Sequence, residues 1–123
     1  MLRDLLDRNV ITKWNWLTGT ETTLLTAEGC MSNNGTKATP TLSADLFGDW
    51  REEIIWRTTD NKELRIYTTT IPTPHRFYTL MHDPQYRLSI AWQNVAYNQP
   101  PHTGFHLGEG MKTPPRPQIT TRR

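Results

Sequence analysis

The run Glu53-Ile54-Ile55-Trp56-Arg57 is the most strand-like in the chain, and its surroundings leave little choice of fold. β-Branched and aromatic residues suit a pleated, half-buried surface. Asp60-Asn61-Lys62 follows as a short polar turn, and residues 63–70 carry Leu64, Ile66 and Tyr67 into another strand. Two such runs joined by a short turn predict a β-hairpin over 52–70. Upstream, Val10, Thr12 and Trp14 alternate with Ile11 and Lys13, residues 15–20 contain Gly19, and residues 21–27 are rich in Thr and Leu. This predicts a second hairpin. Short strands separated by turn residues indicate an all-β sandwich, barrel or propeller piece built of antiparallel hairpins, and nothing suggests βαβ units.

Outside the hairpins the pattern is weaker. Leu2, Leu5 and Leu6 share a helical face, so residues 1–9 read as a short helical extension. Phe77, Tyr78, Leu80 and Met81 suit a helical turn, whereas Tyr86, Leu88, Ile90 and Trp92 alternate with Arg87, Ser89 and Ala91 as in a strand. Residues 29–40 read as loop. Pro100-Pro101 requires loop, residues 104–107 suit a last short strand, and the chain from 108 onward is Pro-rich and extended. The expected organisation is an extension (1–9), a β region (10–108) and a Pro-rich tail (109–123).

A chain of 123 residues makes one domain at most. The hydrophobic fraction is 35%, low for a self-sufficient core, but five Trp and four Tyr supply large apolar areas. The same rings, with abundant Asn and Thr, suit sugar binding. The net charge of +2 is interspersed, which argues against nucleic acid, and the basic cluster of Arg116, Arg122 and Arg123 reads as a solvated terminus. No apolar run approaches the roughly 18 residues of a membrane span. The charges inside MLRDLLDRNV do not match a signal peptide. A single cysteine, Cys30, allows no intrachain disulfide and reads as a small semi-buried residue.

The groups with chemical potential concentrate in residues 32–57. Asn34-Gly35-Thr36-Lys37 offers an amide, an open backbone, a hydroxyl and an ammonium, a kit for the hydroxyls and carboxylate of a sugar acid. Taken alone, Asn-Gly reads as no more than a turn. Asp45, Asp49, Glu52 and Glu53 follow, with Gly48 among them. Hard oxygen donors in a turn suit Ca²⁺, but the spacing is not that of an EF-hand, and a solvated acidic edge paired with Arg51 and Arg57 is the alternative. His75, His82, His102 and His106 lack the partners of a zinc pattern.

Three long stretches carry a resemblance: SNNGTKATPTLSADLFGDWREEIIWRT, ELRIYTTTIPTPHRFYTLMHDPQYRLSIAWQNVAYNQPPHTGF and LGEGMKTPPRP. Together they resemble the C-terminal part of family 11 polysaccharide lyases, the rhamnogalacturonan lyases of pectin breakdown, from about residue 11 to about residue 119. The resemblance implies an eight-bladed β-propeller with bound calcium ions and a cleft across its axis. This chain would be its closing blades, a truncated propeller with edge strands open to association. It also implies an acidic plant cell-wall polysaccharide as partner and a place outside the cell. The implied chemistry is β-elimination at galacturonic acid, with Lys37 as base or electrostatic partner and Tyr97 as a second acid/base or positioning group. Asn34, Gly35, Thr36 and Asn98 would bind substrate, and Asp45 and Asp49 remain the candidates for calcium. A fragment of this kind is expected to have little activity alone. The alternative is a stand-alone, non-catalytic carbohydrate-binding module using Trp14, Trp16, Trp50 or Trp92 as its stacking platform.

Overall fold

The computed structural model describes residues 4–95, 99–114, 116–118, 120 and 121. Two antiparallel sheets and one helix make up the regular structure. The first sheet holds β1 (Leu5–Asp7), β2 (Val10–Asn15) and β3 (Thr20–Thr26) in that order. The β2–β3 hairpin forms as the alternation predicts, running from Val10↔Thr26 to Asn15↔Thr20 with an irregularity between Ile11 and Thr12. Its turn closes through Gly19, whose amide donates to Asn15 O at 2.9 Å with φ at 65°, an angle glycine adopts without a Cβ clash.

Residues 5–7 do not continue the helical reading of the N-terminus. They pair with β2 through Leu5↔Thr12, Leu6↔Ile11 and Asp7↔Val10. Leu6 packs against the core, which a helix too short to stand alone would not secure.

The second sheet is centred on β6 (Glu53–Thr58), the strand most evident in the sequence. On one side lies β7 (Leu64–Tyr67), paired from Ile54↔Tyr67 to Arg57↔Leu64. On the other side two short strands share the edge. β4 (Cys30–Met31) pairs with Thr58 and Arg57, and β5 (Leu42–Ala44) pairs with Ile55, Ile54 and Glu53. The stretch 29–40, expected as loop, therefore contains β4. The turn between β6 and β7 is organised by Thr58, whose hydroxyl donates to Asp60 Oδ1 (2.6 Å) and accepts from Glu63 N (3.1 Å).

The sheets meet over a core of Ala27, Cys30 and Trp56, against which Leu6, Ile11, Leu25, Ile54 and Tyr67 pack. Trp56 is fully buried, meets the Tyr67 ring edge-on at 5.1 Å and donates from Nε1 to Arg8 O at 2.9 Å.

Residues 86–92 are a helix, not the expected strand. A 3-10 turn (Leu80–His82) leads into α1 (Pro84–Trp92), with Asp83 as N-cap accepting from Gln85 N and Pro84 opening the first turn. The inward face consists of Tyr86 and Ser89 with Gln93 just beyond, so one ring and two polar side chains are buried and leave no apolar period of 3.6. Gln93 acts as a substitute strand. Its Oε1 accepts from Ser43 N (2.9 Å) and its Nε2 donates to Ser43 O (2.7 Å), closing the open side of β5. Residues 104–107 form no strand. Gly104 N donates to Asp83 Oδ2 at 2.5 Å, turning the chain back onto the helix cap.

Candidate functional site

The loop between β4 and β5 carries the 34–37 turn, and local hydrogen bonds give it its shape. Lys37 N donates to Asn34 Oδ1 at 2.8 Å, Asn33 N donates to Thr39 O at 2.8 Å, and Ser32 Oγ donates to Asn34 O at 3.0 Å. Asn34 Nδ2 reaches Thr39 Oγ1 at 3.4 Å. The Asn34 amide therefore holds the turn, while Gly35, Thr36 and Lys37 are exposed on it. Gly35 has an ordinary φ, and a Cβ built on it meets nothing within 4 Å. Nothing in this fold requires glycine there, so its effect is to leave the backbone N–H open to approach.

The turn is braced from two directions. Asn33 Nδ2 donates to Asn94 Oδ1 at 3.1 Å, and Asn94 Nδ2 donates to Thr41 O at 2.8 Å. This ties the turn to the end of α1, three residues before Tyr97 in the chain. Tyr97 and Asn98 themselves lie outside the described residues. From the other side Arg8 N donates to Ala38 O at 2.9 Å, joining the β1–β2 loop to the end of the turn. Between these parts opens a cleft of about 340 Å³ lined by Arg8, Asn9, Met31, Ser32 and Gly35 above Cys30. Arg8 and Asn9 drew no attention in the sequence, because their place beside the turn follows from β1 being a strand. Tyr67 OH lies 3.5 Å from the Cys30 sulfur, and this contact, with burial, pushes the phenol above its usual pKa.

The acidic stretch divides by role. Asp49 accepts from Arg51 N and Nε at 3.1 Å each, and the Arg51 side chain also anchors to Ile71 O at 2.8 Å. Asp45 is buried, and its Oδ2 accepts from Thr79 Oγ1 (2.6 Å) and Leu80 N (2.8 Å). Asp45 Oδ1 is buried without a hydrogen-bond partner among the described residues. One such oxygen falls short of the roughly six to eight that Ca²⁺ takes. A calcium ion on Asp49 would also have to displace Arg51. Among the described residues no three carboxylate, imidazole or thiol side chains converge as a metal set. The expected Asp45–Asp49 pair thus does not fit calcium as it stands. Tyr86 OH links the acids differently, accepting from Asp45 N at 2.8 Å and donating to Glu52 Oε1 at 2.9 Å. Burial, then the Glu52 charge, push its phenol far above the ordinary value.

The Arg51 hydrogen bond holds the Asp49 carboxyl below the usual carboxylate range. A lowered folded-state pKa stabilises the fold above the unfolded value, and the contribution disappears as pH falls through the folded one. Arg51→Ala is expected to return the Asp49 carboxyl upward toward 3.8 and flatten stability against pH below that point. Carboxyl-detected NMR titration reads this directly. An unchanged Asp49 titration in the variant would remove Arg51 as the cause.

Among the candidate rings, Trp14 and Trp16 are exposed on the β2–β3 hairpin, Trp50 packs edge-on against Phe77 at 4.9 Å, and Trp92 lies 5.4 Å from the His102 ring.

Residues 1–117 match the family model described as rhamnogalacturonan lyase family 11, C-terminal domain. The chain belongs to this family of polysaccharide lyases. It is 65% identical over 121 residues to the rhamnogalacturonan endolyase YesW of Bacillus subtilis (strain 168), covering 98% of this chain and 20% of that protein. It is 59% identical to the rhamnogalacturonan exolyase YesX of the same organism, covering 97% of this chain and 21% of the relative. The crystal structure of YesW superimposes with a TM-score of 0.92 over 98% of this chain and 21% of that one. The Bacillus licheniformis rhamnogalacturonan lyase PL11 gives a TM-score of 0.92 at 66% identity, over 97% of this chain and 20% of that one. The chain thus spans about a fifth of the length of the relatives it matches.

Proposed function

We propose that this chain forms closing blades of a β-propeller rhamnogalacturonan lyase and supplies one wall of the cleft where the pectin backbone is cleaved by β-elimination, outside the cell. The observation that carries this reading is the 34–37 turn, which is fixed by its own hydrogen bonds yet presents an open glycine backbone, a hydroxyl and an ammonium beside a cleft of about 340 Å³.

β-Elimination removes the proton next to the uronate carboxylate and then breaks the bond at C4. That proton becomes acidic only when the carboxylate charge is neutralised. Lys37 acts there as base or electrostatic partner, with its ammonium beside the carboxylate. The Gly35 N–H and Thr36 hydroxyl hold sugar oxygens, and Asn34 positions all three by fixing the turn. Tyr97, with Asn98 beside it, is proposed to act in the same cleft as the second acid/base or positioning group.

Gly35→Ala separates this role from folding. A Cβ has room, so the thermal midpoint is expected to hold or rise slightly, alanine at a compatible angle being worth about 0.4–1 kcal/mol. Calorimetric titration with rhamnogalacturonan oligosaccharides is expected to show binding by the native chain and a weaker Kd for the variant. Absorbance of unsaturated uronates should stay near background for this chain alone. Equal affinity in both proteins, or rapid turnover by the isolated chain, would contradict the reading.

A further inference from the structure

The β1–β2 connection is a two-residue loop, Arg8-Asn9, because Asp7 pairs directly with Val10. Arg8 has φ at 55°, in the left-handed region where a Cβ is crowded and glycine or asparagine is favoured. The surrounding structure imposes that angle. Arg8 N donates to Ala38 O, and Arg8 O accepts from the buried Trp56 Nε1, both at 2.9 Å. An arginine is therefore held where glycine would sit without strain, and its contribution has to come from the side chain.

Arg8 lines the same cleft as Gly35. Among the described residues the lining contains no acidic side chain, and Arg8 is its one cationic group. Among the described residues Lys13, Arg51, Lys62 and Arg65 are ion-paired, and Arg8 is not. Met31, partly exposed, provides apolar surface in the same cleft. The volume falls in the range of small-ligand sites, roughly 300–1,000 Å³. A guanidinium fork matches a planar carboxylate through two parallel N–H···O bonds, which an ammonium cannot reproduce. An unpaired guanidinium, apolar surface and an open glycine backbone in one cleft describe a site for a sugar acid.

We propose that Arg8 binds the carboxylate of a uronate residue in the cleft beside the 34–37 turn, and so selects which sugar of an alternating acidic and neutral chain occupies it. This rests on the placement of that turn in the substrate cleft under the proposed function.

The test is titration of the 123-residue chain with rhamnogalacturonan oligosaccharides and with the same oligosaccharides reduced at their carboxyl groups. Arg8→Gly relieves the backbone while deleting the guanidinium, so its thermal midpoint is expected to match or exceed that of the native chain. Its affinity for the acidic ligand is expected to fall about tenfold or more, as for loss of a charge-assisted pair, with no change for the reduced ligand. Arg8→Lys keeps the charge at the same strained angle and is expected to retain part of the preference. The proposal is overturned if Arg8→Gly binds the acidic ligand as the native chain does, or loses affinity equally for both ligands. An Arg8→Gly chain with native affinity beside a weakened Gly35→Ala chain overturns the Arg8 assignment alone. A native chain that binds neither ligand overturns the cleft reading with it.

Discussion

Trp56→Ala is expected to lower unfolding stability by about 3–5 kcal/mol, the range for deleting a large buried aromatic. Its ring is fully buried, sits between the two sheets with Ala27 and Cys30, and meets Tyr67 edge-on at 5.1 Å. Small domains retain only about 5–15 kcal/mol in total, so this one substitution removes a large fraction of the stability. The loss has a second component. Without the indole N–H, Arg8 O loses its partner, and the strained β1–β2 loop loses one of its two backbone anchors. Trp56→Phe separates the two parts. It keeps most of the packing and deletes the hydrogen bond, so its cost is expected to be about 1–3 kcal/mol. Urea denaturation followed by far-ultraviolet circular dichroism measures both. A Trp56→Ala midpoint within experimental error of the native one would mean that the sheets are not held together here.

How far such features can be read in advance differs from residue to residue. The β6–β7 and β2–β3 hairpins announce themselves because β-branched and aromatic residues fill the strands and polar turn residues lie between them. The helix at residues 84–92 does not, since polar Ser89 and Gln93 face inward beside Tyr86 while exposed Leu88 imitates strand alternation. The Asp83-Pro84 pair was the available signal for it, an N-cap followed by proline in the first turn. The 34–37 turn is legible as a set of functional groups, but the commitment of the Asn34 amide to Lys37 N is not. Arg8 is illegible as a site residue until Leu5, Leu6 and Asp7 pair with β2 and carry the loop to Ala38. Asp45 and Asp49, four apart in the chain, suggested one ion. Each is held by different donors, Thr79 and Leu80 on one oxygen of Asp45 and Arg51 on Asp49, because sequence proximity in a loop does not set side-chain direction.

Glu53→Ala is expected to cost about 1.5–3 kcal/mol, the scale of hydrogen bonds to a charged group, although the residue lies in no hydrophobic cluster. Glu53 opens β6 opposite Ala44 and is fully buried. Its Oε2 accepts from Leu46 N (2.9 Å) and Phe47 N (3.0 Å), and its Oε1 accepts from Thr68 Oγ1 (2.9 Å). One carboxylate therefore ties the loop after β5 to the segment after β7, across the strand that lies between them. Alanine would leave Leu46 N with only its bond to Ala44 O at 3.0 Å and would free Phe47 N and the Thr68 hydroxyl, and because all three residues are exposed, water recovers part of the loss. Glu53→Gln tests the geometry against the charge. The amide oxygen can take both loop N–H groups while its NH₂ donates to Thr68 Oγ1, whose hydroxyl also accepts. The glutamine variant is accordingly expected to lose only the charge assistance and to stay within about 1–2 kcal/mol of the native chain. Leu46 and Phe47 amides should exchange with solvent faster in Glu53→Ala than in Glu53→Gln, as read by hydrogen exchange. Equal exchange in the two variants would mean that the loop is held by something other than this carboxylate.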